Sequence, residues 1–124
     1  MSSLERSDFE QQSVFDRTEQ LLRSKGSEIL DMSRERHYIE TNNAFYAILE
    51  GQTWEVKYVY PQFASNLSKG KRFAIHGPHL SNETIAEIES MKFPLIARGV
   101  IDKIAIATTE IQVSRNIDDF EATS

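Results

Sequence analysis

Polar and apolar residues alternate most regularly from Thr53 to Tyr60. Trp54, Val56, Tyr58 and Tyr60 take one side, and Thr53, Glu55, Lys57 and Val59 take the other. A period of two predicts a strand with one buried face, and the β-branched and aromatic content agrees. The preceding run, Ala44 to Leu49, is apolar or amphipathic throughout and also reads as a strand. Glu50-Gly51 between them predicts a hairpin turn. A two-residue loop would set Ala47 opposite Trp54. A type I turn followed by a left-handed Gly51 would set Tyr46 there instead, and glycine at the third loop position suits that choice. A one-residue slip exchanges the two faces. Pro61 constrains Tyr60 and ends the second strand.

Helical spacing governs the N-terminal third. Val14, Leu21, Leu22, Ile29 and Met32 form a stripe on an otherwise charged segment, with Ser7 as the expected cap and Glu10 completing a capping box. Gly26 is either tolerated within that helix or splits it in two. From His37 to Glu40 a short strand is expected, with Asn42-Asn43 as a turn or bulge before Ala44, or as part of one long irregular strand. Phe73-Ala74-Ile75 reads as a strand. Ser81 is a clear helix start, with Leu80 and Ile85 spaced as a hydrophobic staple, and Pro94 is expected to end that helix. Ile104, Ile106, Thr108, Ile111 and Val113 then predict a strand from Lys103 to about Val113. These elements predict an α+β fold, a mostly antiparallel β-sheet of four to five strands with two helices packed on one face. The domain is expected to span 7–113, with a frayed 1–6 and an acidic C-terminal tail over 114–124.

Composition narrows the function classes. The 124 residues carry 19 Asp and Glu against 14 Lys and Arg, a formal charge of −5, and no cysteine. Disulfides, thiol nucleophiles and cysteine-based zinc sites are excluded. The acidic balance offers no general attraction for a nucleic-acid backbone, so nucleic acid is an unfavoured partner, short of a local basic patch. No apolar run is long enough to span a bilayer, and the polar N-terminus does not resemble a secretory signal. A cytoplasmic setting is expected, with a nuclear one left open, and no membrane partner.

Glu55 and Lys57 share one side of their strand. A carboxylate there suits a divalent metal, and the lysine could orient an attacking water, provided another carboxylate joins them. Glu40 and Glu50 are the nearest candidates in the preceding strand and turn, with Glu19 on the first helix. Helix, strands bearing Glu-x-Lys, helix and strand, over about residues 13 to 107, resemble in coarse order the core of the PD-(D/E)xK nuclease superfamily. That resemblance implies a magnesium- or manganese-dependent nuclease or phosphodiesterase, with Glu55 and Glu40 as metal ligands and Lys57 beside the water. The chain departs from the family pattern in lacking a Pro-Asp or Gly-x-Asp pair before Glu55.

Other polar groups suggest binding. Lys69, Lys71 and Arg72, near His76, form a compact basic cluster suited to an anion, while His76 and His79 lack an evident third metal ligand. The nucleophile-elbow, phosphate-loop and dinucleotide glycine patterns are absent. Tyr46, Tyr58 and Tyr60, with Tyr38 and Trp54, supply amphipathic aromatics of the kind that enrich interfaces. The leading expectation is therefore a non-enzymatic accessory or regulatory module without a cofactor. It would recognise a protein, a second copy of itself or a small anionic ligand through an aromatic-rich sheet. The metal-dependent nuclease and a structural oligomer subunit are the alternatives.

Overall fold

A computed structural model describes residues 13–50, 72–78, 80–98 and 103–122. Helix α1 (Val14–Ser24) is followed by β1 (Ile29–Ser33), β2 (Tyr38–Thr41), β3 (Ala44–Ile48) and β4 (Arg72–His76), then α2 (Asn82–Ala97), β5 (Ile104–Ala107) and α3 (Glu110–Phe120). The strands form one sheet in the order β1-β2-β3-β4-β5. β1, β2 and β3 pair antiparallel, whereas β4 runs parallel to β3 and β5 parallel to β4.

This architecture corrects the expected one in two respects. The sheet is mixed, not mostly antiparallel. Three helices among the described residues cover both of its faces, where two on one face were expected. The parallel half explains the difference. A parallel pair needs a crossover of about a dozen residues or more, usually helical, and such crossovers lay helices on sheet faces. Helix α2 is the crossover from β4 to β5. It packs Ile85 and Ile88 on Phe45, Ala47, Phe73, Ile75 and Ile104. Helices α1 and α3 lie on the opposite face, over Ala44, Tyr46, Ile48, Ala74 and Ala107.

The hairpin expected from Ala44 to Tyr60 meets the same correction. β3 pairs with β2 along one edge and with β4 along the other, so it has no edge left for a hairpin partner. Residues 51–71, including the expected second strand, lie outside the described residues.

Local chemistry sets each remaining boundary. Ser13 caps α1 by accepting the Asp16 N–H at 3.0 Å, while the expected cap at Ser7 lies outside the described residues. Gly26, at φ 81°, ends the helix. Its N–H reaches the Arg23 carbonyl and the Ser27 N–H reaches Leu22, a left-handed helix end that favours glycine. Ile29 and Met32, expected on the helical stripe, consequently lie in β1. Ser81 accepts the Thr84 N–H at 3.1 Å at the start of α2. That helix continues through Pro94 to Ala97, where it was expected to stop. Proline's fixed φ is helix-compatible, and the Pro94 carbonyl still accepts the Arg98 N–H at 3.1 Å.

The largest local difference follows β5. The strand ends at Ala107, and Thr109 caps α3 through the Gln112 N–H at 3.2 Å. Val113, Ile117 and Phe120 are buried at helical spacing. The segment from Ser114, expected as an acidic tail, thus belongs to a packed helix up to Phe120.

Candidate functional site

Strand alternation sends neighbouring residues of β3 and β4 to different layers. Tyr46 and His76 face α1 and α3, with ring centroids 5.3 Å apart. Both are completely buried. His76 Nδ1 lies 3.2 Å from Thr18 Oγ1 on α1, and its Nε2 lies 3.3 Å from Asn116 Nδ2 on α3. With the Asn116 amide donating to Nε2, the Nδ1–H donates to Thr18, which defines a neutral imidazole. Burial pushes the His76 pKa down to about 3. An imidazole sealed from water, with both nitrogens engaged, is a structural link between two helices. It is poorly placed for acid–base chemistry on a substrate.

Tyr46 belongs to a second network. Its hydroxyl donates to Glu121 Oε2 at 2.7 Å, Thr41 Oγ1 donates to the same oxygen at 2.8 Å, and Asn43 Nδ2 donates to Oε1 at 3.1 Å. Burial and the Glu121 carboxylate both raise the Tyr46 pKa, so the phenol stays protonated. Arg72 donates from a guanidinium nitrogen to the Phe120 carbonyl at 2.9 Å, placing a cation at the C-terminus of α3. The end of α3 is thereby fastened to the β2–β3 turn. Glu121 did not emerge from sequence as a site residue. Within a run of acids, nothing distinguishes the one that turns inward.

Of the expected metal carboxylates, those among the described residues do not converge. Glu40 is on β2, paired with Phe45, and lies on the α2 side of the sheet. Glu50 follows β3 at its other end and turns to the α1 side, where Oε1 accepts the Phe15 N–H at 3.0 Å. Phe45 and Glu50 are separated by about 17 Å along an extended chain. Glu19 pairs with Arg23 at 2.9 Å on α1. Among the described residues, no group of three or more His, Asp or Glu side chains is arranged to hold a metal ion. Glu55 and Lys57, with Tyr58, Tyr60, Lys69, Lys71 and His79, lie outside the described residues.

Charge pairs stitch the N-terminal ends of α1 and α3 to their surroundings. Arg17 Nε lies 2.6 Å from Glu110 Oε2, an ionic contact, since the N–H is not aimed at that oxygen. Arg34 pairs with Asp16 and lies 4.5 Å over the Phe15 ring. The Arg34 guanidinium lowers the Asp16 pKa. These ion pairs join α1 to α3 and to the β1–β2 turn.

What the described surface leaves open is the outer edge of β1. Among the described residues this strand pairs only with β2. It exposes Leu30 at 48 % and Met32 at 38 %, two of the three large apolar residues exposed among those described. The other sheet edge, β5, is instead lined by the buried Ile104 and Ala107. No helix among the described residues is long and apolar enough to cross a membrane.

No family model matches this chain, and neither does any curated protein or solved structure. The chain is a small α+β domain with a clustered aromatic core, and its site must be argued from its own geometry.

Proposed function

We propose that this domain is a binding module that takes a protein segment along the outer edge of β1. One observation carries the reading: β1, which among the described residues pairs only with β2, also exposes Leu30 and Met32. Unpaired strand edges are templates for an added strand, and side chains on alternate positions supply selectivity. Of the expected aromatic surface, Tyr46 is buried under helices, while Trp54, Tyr58 and Tyr60 lie outside the described residues. β1, by contrast, exposes Leu30 and Met32.

Selection of displayed random peptides against the domain tests the reading. Synthetic versions of the recovered peptides are then measured on the Leu30→Lys/Met32→Lys variant. Binding is expected to weaken about tenfold or more through lost apolar contact, with the fold unchanged. Binding that survives the double substitution, or a selection that recovers no binding peptide, contradicts it.

A further inference from the structure

Independently of the β1 edge, we propose that helix α3 is an acid-operated latch with His76 as its sensor: on acidification it leaves the sheet as a unit, ahead of the rest of the domain, and uncovers Tyr46 and His76. The attachment of α3 carries the inference. Thr108 and Thr109 alone join it to β5. Its side chains reach other elements through its own acids and through His76. Glu110 pairs with Arg17 on α1, Asp118 with Lys25 and Asp119 with Lys103. Glu121 accepts hydrogen bonds from Thr41, Asn43 and Tyr46. Asn116 holds Nε2 of His76 at 3.3 Å. Acid neutralises these carboxylates and charges the imidazole, whereas the Arg72 bond to the Phe120 carbonyl is indifferent to it. Val113, Ile117 and Phe120, all buried, keep the helix closed at neutral pH.

His76 sets the direction. Its ring is completely buried, with Thr18 from α1, Asn116 from α3 and Tyr46 from β3 around it and Ala107 beside it on β5. Among these groups Tyr46 alone titrates, and the Glu121 carboxylate stands behind it on its hydroxyl. Burial is the cause that lowers the imidazole pKa from 6.5 to about 3. Lifting α3 gives the ring to water. Between those two values the open form then holds a proton that the closed form lacks, so falling pH favours opening, about tenfold per pH unit. The other two helices are held differently. Asp16 on α1 keeps its charge further into acid because the Arg34 guanidinium lowers its pKa, and the far end of α1 runs through Gly26 into β1. Helix α2 rests on Phe45, Phe73, Ile75 and Ile104, none of which titrates.

Residue-resolved amide exchange on the full chain, corrected for the intrinsic pH dependence of exchange, gives an opening constant for each element between about pH 6.5 and pH 4.5. In α3 these constants are expected to rise about tenfold or more per pH unit, and in α2, β3 and β4 by far less. His76→Gln should remove most of that slope. Asn116→Ala keeps the imidazole, so it should retain the slope while opening α3 about fivefold or more at neutral pH. Protection lost together across α3, β3 and β4 is global unfolding and overturns the proposal. So does an α3 that stays equally protected down to the lowest pH, or a slope that His76→Gln leaves intact. If His76→Gln does not fold, Asn116→Ala decides: opening constants in α3 unchanged from the natural sequence overturn it.

Discussion

The two faces of the sheet are built from the same strands but solve burial differently. The face under α2 is aromatic and aliphatic. Tyr38 stacks on Phe45 at 5.3 Å and Phe45 on Phe73 at 5.8 Å, with Ile75, Ile88 and Ile104 around them. The face under α1 and α3 alternates small residues, Ala44, Ala74 and Ala107, with polar ones, Tyr46 and His76. Small side chains let the helices approach. Thr18, Asn116 and Glu121 then supply hydrogen-bond partners for the buried polar groups. The comparison separates two roles. Apolar burial supplies bulk stabilisation without fixing a helix's position, whereas a satisfied polar network fixes position because a displaced partner leaves a costly unpaired group.

The largest expected effect breaks the apolar side. Phe73→Ala should cost about 3–5 kcal/mol of unfolding free energy in a denaturant titration, since the ring is fully buried. A loss below about 1 kcal/mol would mean that the aromatic stack is not close-packed. Next is the polar side. Glu121→Ala removes the acceptor for Tyr46, Thr41 and Asn43 and should cost about 2–3 kcal/mol. Tyr46→Phe in the same background should then cost little further, because the hydroxyl has already lost its partner. Additive losses would show that the network does not act as a unit.

A pH titration sharpens the comparison. The folded pKa of His76 lies near 3, below the ordinary 6.5, so between those values the unfolded chain holds a proton that the folded one lacks. Stability therefore falls as pH falls through that window, by about 1.4 kcal/mol per pH unit from this residue. His76→Gln should flatten that part of the acid limb. An unchanged limb would contradict the buried neutral imidazole. The smallest effect belongs to the surface. Lys103→Ala, which breaks an exposed pair with Asp119 at 2.8 Å, should cost less than about 1 kcal/mol.

How much of this was legible depends on whether the signal was local. The start of α2 at Ser81 was readable because a cap and a staple lie within a few residues of each other. The strand around Phe73 was readable from its short apolar run, whereas periodicity left Asn42-Asn43 open between a turn and one long strand. Helix α3 was not recognised, because Ile111 and Val113 continue the alternation of β5 and two residues cannot separate a period of two from one of 3.6. The contrary signal was present in Thr109 and Gln112, spaced as a capping box, with Gln112 accepting the Thr108 N–H at 2.8 Å. The neighbours of β3 were not legible, since a buried apolar strand carries no mark of which strand lies on each side or in which direction. For the same reason Glu40 and Glu50, close in sequence, could not be assigned to different faces until the pairing of β2 with β3 was known.

The account rests most heavily on the β1 edge. The direct measurement is residue-resolved amide hydrogen exchange, with and without a saturating concentration of a peptide recovered by the display selection. The account predicts slowed exchange concentrated in Ile29–Ser33, where an added strand would cover the outer backbone groups. Unchanged exchange across β1, with protection appearing elsewhere in the chain, would contradict it.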